Sequence, residues 1–337
     1  YEIMPSLVGS EMCIRDSYLP KFIFLHLIVF IHTICYHETI YSAFRKELSA
    51  MHFVQAKGIL SQNNGMNIYR GCSHGCIYCD SRSKCYGFTH AFEDIEVKGN
   101  APELLEQALR SKRHRCMIGT GAMCDPYLPA EKELRLTRKC LELIDQYEYG
   151  VTVLTKASLV LRDLDLLQSI NQKAKAVVQM TFTTYDEDLC RKIEPNVSTT
   201  RERFEVLMKC KELGIPTLVW MTPILPFIND TRENIEGLLD YCLQADVKGI
   251  LLFDVGVTLR DGDREFFYQA LDRDFPGIRQ KYVHTYGNAY DIPSPHAKEL
   301  MALIRNTCSV NSILCSPKEC FAYLNEFPER YVQQTLF

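Results

Sequence analysis

Residues 66–86 read MNIYRGCSHGCIYCDSRSKCY, an apolar, strand-like run that delivers the chain straight into four cysteines and a histidine. Thiols at that density bridge one another, hold a metal or react. The chain has fifteen cysteines, an odd number, and many stand alone inside helix-like or strand-like patterns, as Cys140, Cys190, Cys210 and Cys242 do. Disulfide scaffolds are short and loop-rich, with paired cysteines. Scattered single thiols suit a reducing cytoplasm, where they behave as small buried hydrophobes. Bridging is set aside; metal binding and reactivity remain.

The pattern that begins with this stretch repeats. Strand-like runs occupy 66–71, 115–121, 150–156, 176–183, 216–225 and 249–257. Helix-like segments lie between them at 102–112, 130–147, 163–171, 200–214 and 231–245, and the second sets Leu134, Leu136, Leu141 and Ile144 near one face. KELGIP and DVKGI are stop signals, with glycine near a helix end before the next strand. Six strand–helix units in series predict an α/β fold with a parallel sheet inside and helices outside, a partial (βα)6 barrel. In such barrels the chemistry sits in the loops where strands end. The cysteines occupy the first of those loops.

With 337 residues, the chain can hold one large domain with extensions. A net charge of −4 and a pI of about 6.2 exclude a global field that would draw the protein onto a polyanion. The first fifty residues stand apart. PSLVGSEMCIRDS has neither helical nor strand periodicity and reads as translated adaptor sequence, and Met51 is the better start. FIFLHLIVFIHTICY, residues 22–36, falls short of the roughly 20 residues that cross a bilayer. No membrane partner is expected, and residues 1–50 read as a non-native leader.

A structural zinc site takes four protein ligands, typically from two separate chain segments. Here Cys72, Cys76 and Cys79 crowd one loop, and Cys85 or His74 would have to close the tetrahedron alone. Three thiolates on one loop point instead to a [4Fe-4S] cluster with one iron open to another ligand. A non-catalytic zinc-binding module closed by Cys85 stays as the alternative.

The spacing Cys72-x3-Cys76-x2-Cys79, with Tyr78 before the last cysteine, resembles the radical S-adenosylmethionine superfamily. Within it the chain resembles the spore-photoproduct-lyase-like branch, also described as DNA repair photolyase-like. YRGCSHGCIYCDSRS (69–83), GTGAMCDPYLPAE (119–131), VLTKASLVLRDLDLL (153–167) and IEPNVSTTRERFEVL (193–207) carry that likeness. It implies a radical SAM core over 51–285 and a C-terminal extension over 286–337 that packs on it. It implies two cofactors, a [4Fe-4S] cluster and S-adenosyl-L-methionine, and a one-electron donor such as ferredoxin or flavodoxin. The implied reaction is reductive cleavage of S-adenosylmethionine to a 5′-deoxyadenosyl radical that abstracts hydrogen from a substrate.

By the same resemblance Cys72, Cys76 and Cys79 are iron ligands, Tyr78 faces the adenine, Lys156 pairs with the cofactor carboxylate, and Thr181 lies near the ribose. Tyr78 could equally only pack over the cluster, and Lys156 could be an ordinary solvated residue at a strand end. Cys124 falls in the loop where spore photoproduct lyase carries a hydrogen-donating cysteine, two positions displaced from it; a buried, merely packed thiol is the other reading. Asp125 and Glu131 read as serving the turn and the next helix start.

Repair of a DNA photoproduct is the alternative substrate reading, and nucleic acid has weak support. The one basic cluster, RSKRHR at 110–115, precedes the second strand and so sits away from the cysteines, near a helix end. Arg70, Arg82 and Lys84, with Tyr86 and Phe88 among them, suggest an anion-tolerant rim and no duplex-binding surface.

Overall fold

The computed structural model describes residues 51–328; the expected leader over 1–50 lies outside them. In chain order the strands are β1 (Met51–Val54), β2 (Gly65–Met66), β3 (Tyr69–Arg70), β4 (Ile95–Lys98), β5 (Met117–Thr120), β6 (Gly150–Thr155), β7 (Ala176–Thr181), β8 (Thr217–Trp220), β9 (Gly249–Leu251), β10 (Gly256–Thr258) and β11 (Asp291–Pro293). The α-helices are α1 (Ala101–Ser111), α2 (Glu131–Leu134), α3 (Leu136–Gln146), α4 (Leu164–Lys173), α5 (Glu187–Ile193), α6 (Thr200–Glu212), α7 (Arg232–Gln244), α8 (Asp263–Asp274), α9 (Ile278–Tyr286), α10 (Ala297–Val310) and α11 (Pro317–Asn325).

Six strands form one sheet in the order β2-β5-β6-β7-β8-β9, every neighbouring pair parallel. The chain thus lays down its sheet in sequence order, as a partial barrel requires. β7 is buried at all six residues. Its alternation sends Val178 and Met180 into the main core with the helices, and Val177 into a smaller cluster with Leu218, Leu251, Cys320 and Leu324. Cys320 and Leu324 belong to α11, so the end of the described chain packs on the sheet face opposite the main core.

Two expectations change. The strand expected at 66–71 is two short strands. β2 joins the parallel sheet, whereas β3 leaves it to pair antiparallel with β4, itself parallel to β1. The helix expected at 130–147 breaks at Arg135, whose φ of 53° is left-handed. The Glu131 carboxylate accepts hydrogen bonds from Thr137 N at 3.1 Å, so it serves the first turn of the second piece.

Residues after β9 close over the cysteine loop. β10 and β11 pair antiparallel, and Phe267 and Leu271 of α8 and Tyr282 of α9 pack with Cys76, Ile77 and Tyr78. Residue 285 lies within α9. Among the described residues no helix is long and apolar enough to cross a membrane.

Candidate active site at the cysteine loop

The loop that leaves β3 bends at two glycines. Gly71 has φ +88°, and a Cβ there would meet the Phe92 carbonyl oxygen at 2.5 Å. Gly75 has φ +72°, and its Cβ would press on Pro195 and Asn196 at 3.2–3.3 Å. Only glycine tolerates both the left-handed backbone and the close approach. The loop is held from two sides. Cys72 N donates to Phe92 O at 3.0 Å, from the segment leading to β4. On the other side Ile77 N donates to Ile193 O at 3.0 Å, Asn196 N to His74 O at 3.2 Å, and Asn196 Nδ2 to Ser73 O at 3.0 Å.

Cys76 is buried and Cys72 and Cys79 half-buried, while Cys85 is exposed and accepts from Arg260 Nη1 at 3.4 Å. Burial pushes the Cys76 and Cys79 thiols up. Cys72 is held well below the ordinary thiol value, first by Cys124 beside it and then by His74. His74 is itself buried, 3.6 Å from Asp125 Oδ2; burial works against its charge, and Cys72 and Asp125 outweigh it to raise its pKa.

Lys156, the first residue past β6, points its ammonium to 5.9 Å from the Tyr78 ring. Burial would lower its pKa, but Cys76 and Glu194 overcome that and hold it above the ordinary value. Tyr78 donates its hydroxyl to Glu194. Glu194 pairs with Arg203 at 2.5 Å, both side chains fully buried. Arg203 also donates to Ser198 O and to Thr181 O, each at 2.8 Å. Burial alone would raise the Glu194 pKa; Arg203 and Lys156 prevail and hold it below the ordinary 4.5. Thr181, buried at the end of β7, therefore joins Tyr78 through two side chains. The structure brings Cys72, Cys76, Cys79, Tyr78, Lys156 and Thr181 to the same edge of the sheet.

Glu194, Asn196 and Arg203 were not anticipated, although the motif at 193–207 contains them. A signal existed. Thr200, Arg203, Phe204 and Leu207 recur at helical spacing and are buried on one face of α6. A cation inside an apolar stripe calls for a buried anion.

Cys124, after β5, is buried, and its Sγ reaches Gly71 O at 2.7 Å beside Cys72. Burial and then Cys72 push its thiol well up. Asp125 ties this loop to β6, accepting from Tyr127 N at 2.8 Å, Thr155 Oγ1 at 2.7 Å and Lys156 N at 2.8 Å. Glu131 turns away to accept from Tyr69, Thr137 and Arg162. The cations expected on the rim have internal partners. Arg82 stacks on Phe92 and Phe266, Arg70 donates to Tyr86 O and Gly87 O, and Lys84 pairs with Asp261. In the basic cluster, Arg110 pairs with Glu106 and Arg115 with Glu148.

The donor set fits an iron–sulfur cluster better than a closed zinc site. Zinc with bonds of about 2.3 Å holds its sulfurs about 3.8 Å apart. Among the described residues, Cys72, Cys76, Cys79 and Cys85 form no group with sulfurs within 4.8 Å of one another. A cubane spreads its thiolates wider, and three from one turn leave it an open corner.

Over 264 residues the chain is 28% identical to an uncharacterized protein of Mycobacterium tuberculosis (strain ATCC 25618 / H37Rv), covering 75% of each. It is 32% identical over 169 residues to an uncharacterized protein of Methanocaldococcus jannaschii, half of this chain and 62% of the other. Among solved structures, spore photoproduct lyase complexed with dinucleoside spore photoproduct aligns with a TM-score of 0.57 at 15% identity, over 79% of this chain and 81% of that one. A point mutant of that lyase aligns equally well, and both likenesses speak to the fold. The radical SAM superfamily pattern matches residues 66–242, from β2 through the cysteine loop to α7. With more than half of its residues inside that match, the chain belongs to the radical SAM superfamily.

Proposed function

We propose that the protein is a radical S-adenosylmethionine enzyme whose Cys72, Cys76 and Cys79 hold a [4Fe-4S] cluster. The observation that carries this reading is the half-buried Lys156 ammonium beside Tyr78, Cys76 and Cys79 at the strand ends. Such a cation beside three thiols is placed for a ligand carboxylate arriving at the same point. Held by these three thiolates, the cluster would supply an electron for reductive cleavage of S-adenosylmethionine, and so the means to abstract hydrogen from a substrate of unassigned class.

The chain's own residues position that chemistry. Lys156 pairs with the cofactor carboxylate. Tyr78, fixed by Glu194, borders the adenine, and Thr181 lies toward the ribose. Tyr282, Phe267 and Leu271 cover the loop and keep water off it. Cys124 is the thiol available to return a hydrogen atom, its S–H bond breaking as a new C–H bond forms and leaving a thiyl radical. A ferredoxin- or flavodoxin-type protein supplies the electron.

The test is anaerobic purification followed by metal analysis and incubation with S-adenosylmethionine and dithionite. A brown protein absorbing near ~400 nm, with about four irons per chain, that releases 5′-deoxyadenosine supports the reading. Colourless protein with zinc on the cysteines, or iron-loaded protein that leaves the cofactor intact, overturns it.

A further inference from the structure

We propose a second metal site, for a divalent transition ion of the zinc type, formed by His52, His90 and Glu96. One ligand atom from each lies within 4.8 Å of the others. The sheet register enforces part of this arrangement. His52 on β1 and Glu96 on β4 are direct partners across a parallel pair, so their side chains share a face. His90 comes from the loop between the cysteine stretch and β4, and its ring meets that of His52 edge-on, with centroids 4.9 Å apart.

Each imidazole also has a partner of the kind that a metal ligand's second nitrogen takes. A ligating histidine characteristically gives one ring nitrogen to a carboxylate or backbone carbonyl, which leaves the other nitrogen's lone pair for the ion. His52 Nδ1 lies 2.9 Å from Asp94 Oδ1. His90 Nδ1 lies 2.9 Å from Ala91 O and 3.9 Å from Asp94 Oδ2. What remains on His90 is Nε2, which is buried and has no hydrogen-bond partner. A buried polar nitrogen without a partner is costly, and an ion relieves that cost. Arg70 stands 3.8 Å from Glu96, but its hydrogen bonds go to the carbonyls of Tyr86 and Gly87.

Two imidazoles and a carboxylate suit zinc and its neighbours in the first transition row, with an open position for water. The placement indicates a brace. His90 stands two residues before Phe92, whose carbonyl accepts from Cys72 N at 3.0 Å. An ion here would tie β1 and β4 to the segment that seats the first cysteine, and the site is separate from the cysteines themselves.

The experiment uses the full chain with Cys72, Cys76 and Cys79 all replaced by alanine, stripped with chelator and titrated with Zn²⁺. Saturable uptake of about one ion per chain is expected, as for a three-ligand protein site. Adding His52→Ala, His90→Ala or Glu96→Ala should abolish it, and Asp94→Ala should weaken it about 10–100-fold. The unmodified protein titrated with Co²⁺ gives an independent readout, because histidine–carboxylate ligation produces visible d–d bands without thiolate charge transfer. No saturable zinc uptake, uptake that survives His90→Ala, or a cobalt spectrum of thiolate bands alone would overturn the proposal.

Discussion

The six-stranded sheet and the three-stranded sheet make opposite contributions. β7 of the large sheet is buried at every residue, and β6 at five of six. The small sheet is half-exposed: β4 alternates buried and intermediate residues, and β1 is fully buried nowhere. The large sheet is a buried frame that delivers Lys156 and Thr181 from strand ends. The small sheet carries His52, Arg70 and Glu96 along one row, and its approach segment holds Cys72 through Phe92. The loop with the three cysteines is thus held on one side by the segment that leads into the half-exposed sheet and on the other by Ile193 and Asn196 at the end of α5.

The largest expected effect removes what both sides hold. Alanine at Cys72, Cys76 or Cys79 should abolish iron retention and cofactor cleavage, while Cys85→Ala should keep both, since that thiol is exposed and turned to Arg260. Iron quantitation and the visible spectrum check this. Loss of iron from Cys85→Ala would mean that the cluster has no open corner.

Next comes the buried Glu194–Arg203 pair, the grip on the frame side. Arg203→Met removes the ion pair of a buried carboxylate and leaves it only the Tyr78 hydroxyl and the charge of Lys156, which should cost about 3–5 kcal/mol in denaturant unfolding. The pair also predicts a pH dependence. Glu194 is held below its ordinary 4.5, so its stabilisation is fully present above that value and is lost as pH falls through the lower folded pKa. Arg203→Met should weaken this acid-side loss; an unaltered acid limb would show that Glu194 does not carry it.

The same contrast explains what could be read from the sequence. Runs such as AVVQMT are continuous and apolar because both faces of the strand are covered, so the parallel sheet and its order were legible. The cysteine loop stood out as the candidate site because few side chains can hold a metal and three of them crowd one turn. β1, β3 and β4 were not, since two to four half-exposed residues carry no period that stands out. The break at Arg135 depends on a carboxylate four residues earlier, and the partners of Arg203 lie on other elements, which single-segment periodicity does not register.

Lys156 tests the frame's contribution to binding. Its contact with a cofactor carboxylate is charge-assisted, and its loss should cost about 1.5–3 kcal/mol. Lys156→Ala should therefore bind S-adenosylmethionine about ten- to a hundredfold more weakly at unchanged iron content. Equilibrium dialysis against the iron-loaded protein measures this. Unchanged affinity would remove Lys156 from the cofactor site and leave it as a buried cation balancing Cys76 and Glu194.

The smallest effect is expected at Cys124, where frame and loop meet. Its thiol donates to Gly71 O at 2.7 Å, so deletion to alanine costs the fold one hydrogen bond, about 0.5–1.5 kcal/mol. Serine in its place can keep a donor at that carbonyl, so Cys124→Ser should recover part of the lost stability. Hydrogen return separates the two substitutions from packing, because a hydroxyl O–H bond is too strong to donate a hydrogen atom as a thiol does. If Cys124 quenches the product radical, both variants should cleave S-adenosylmethionine at the native rate with dithionite alone. Both should then yield altered products, or consume more cofactor per product, once the substrate is supplied. Normal products from Cys124→Ser together with a lowered melting temperature in Cys124→Ala would make this thiol a strut between Gly71 and the β5 loop.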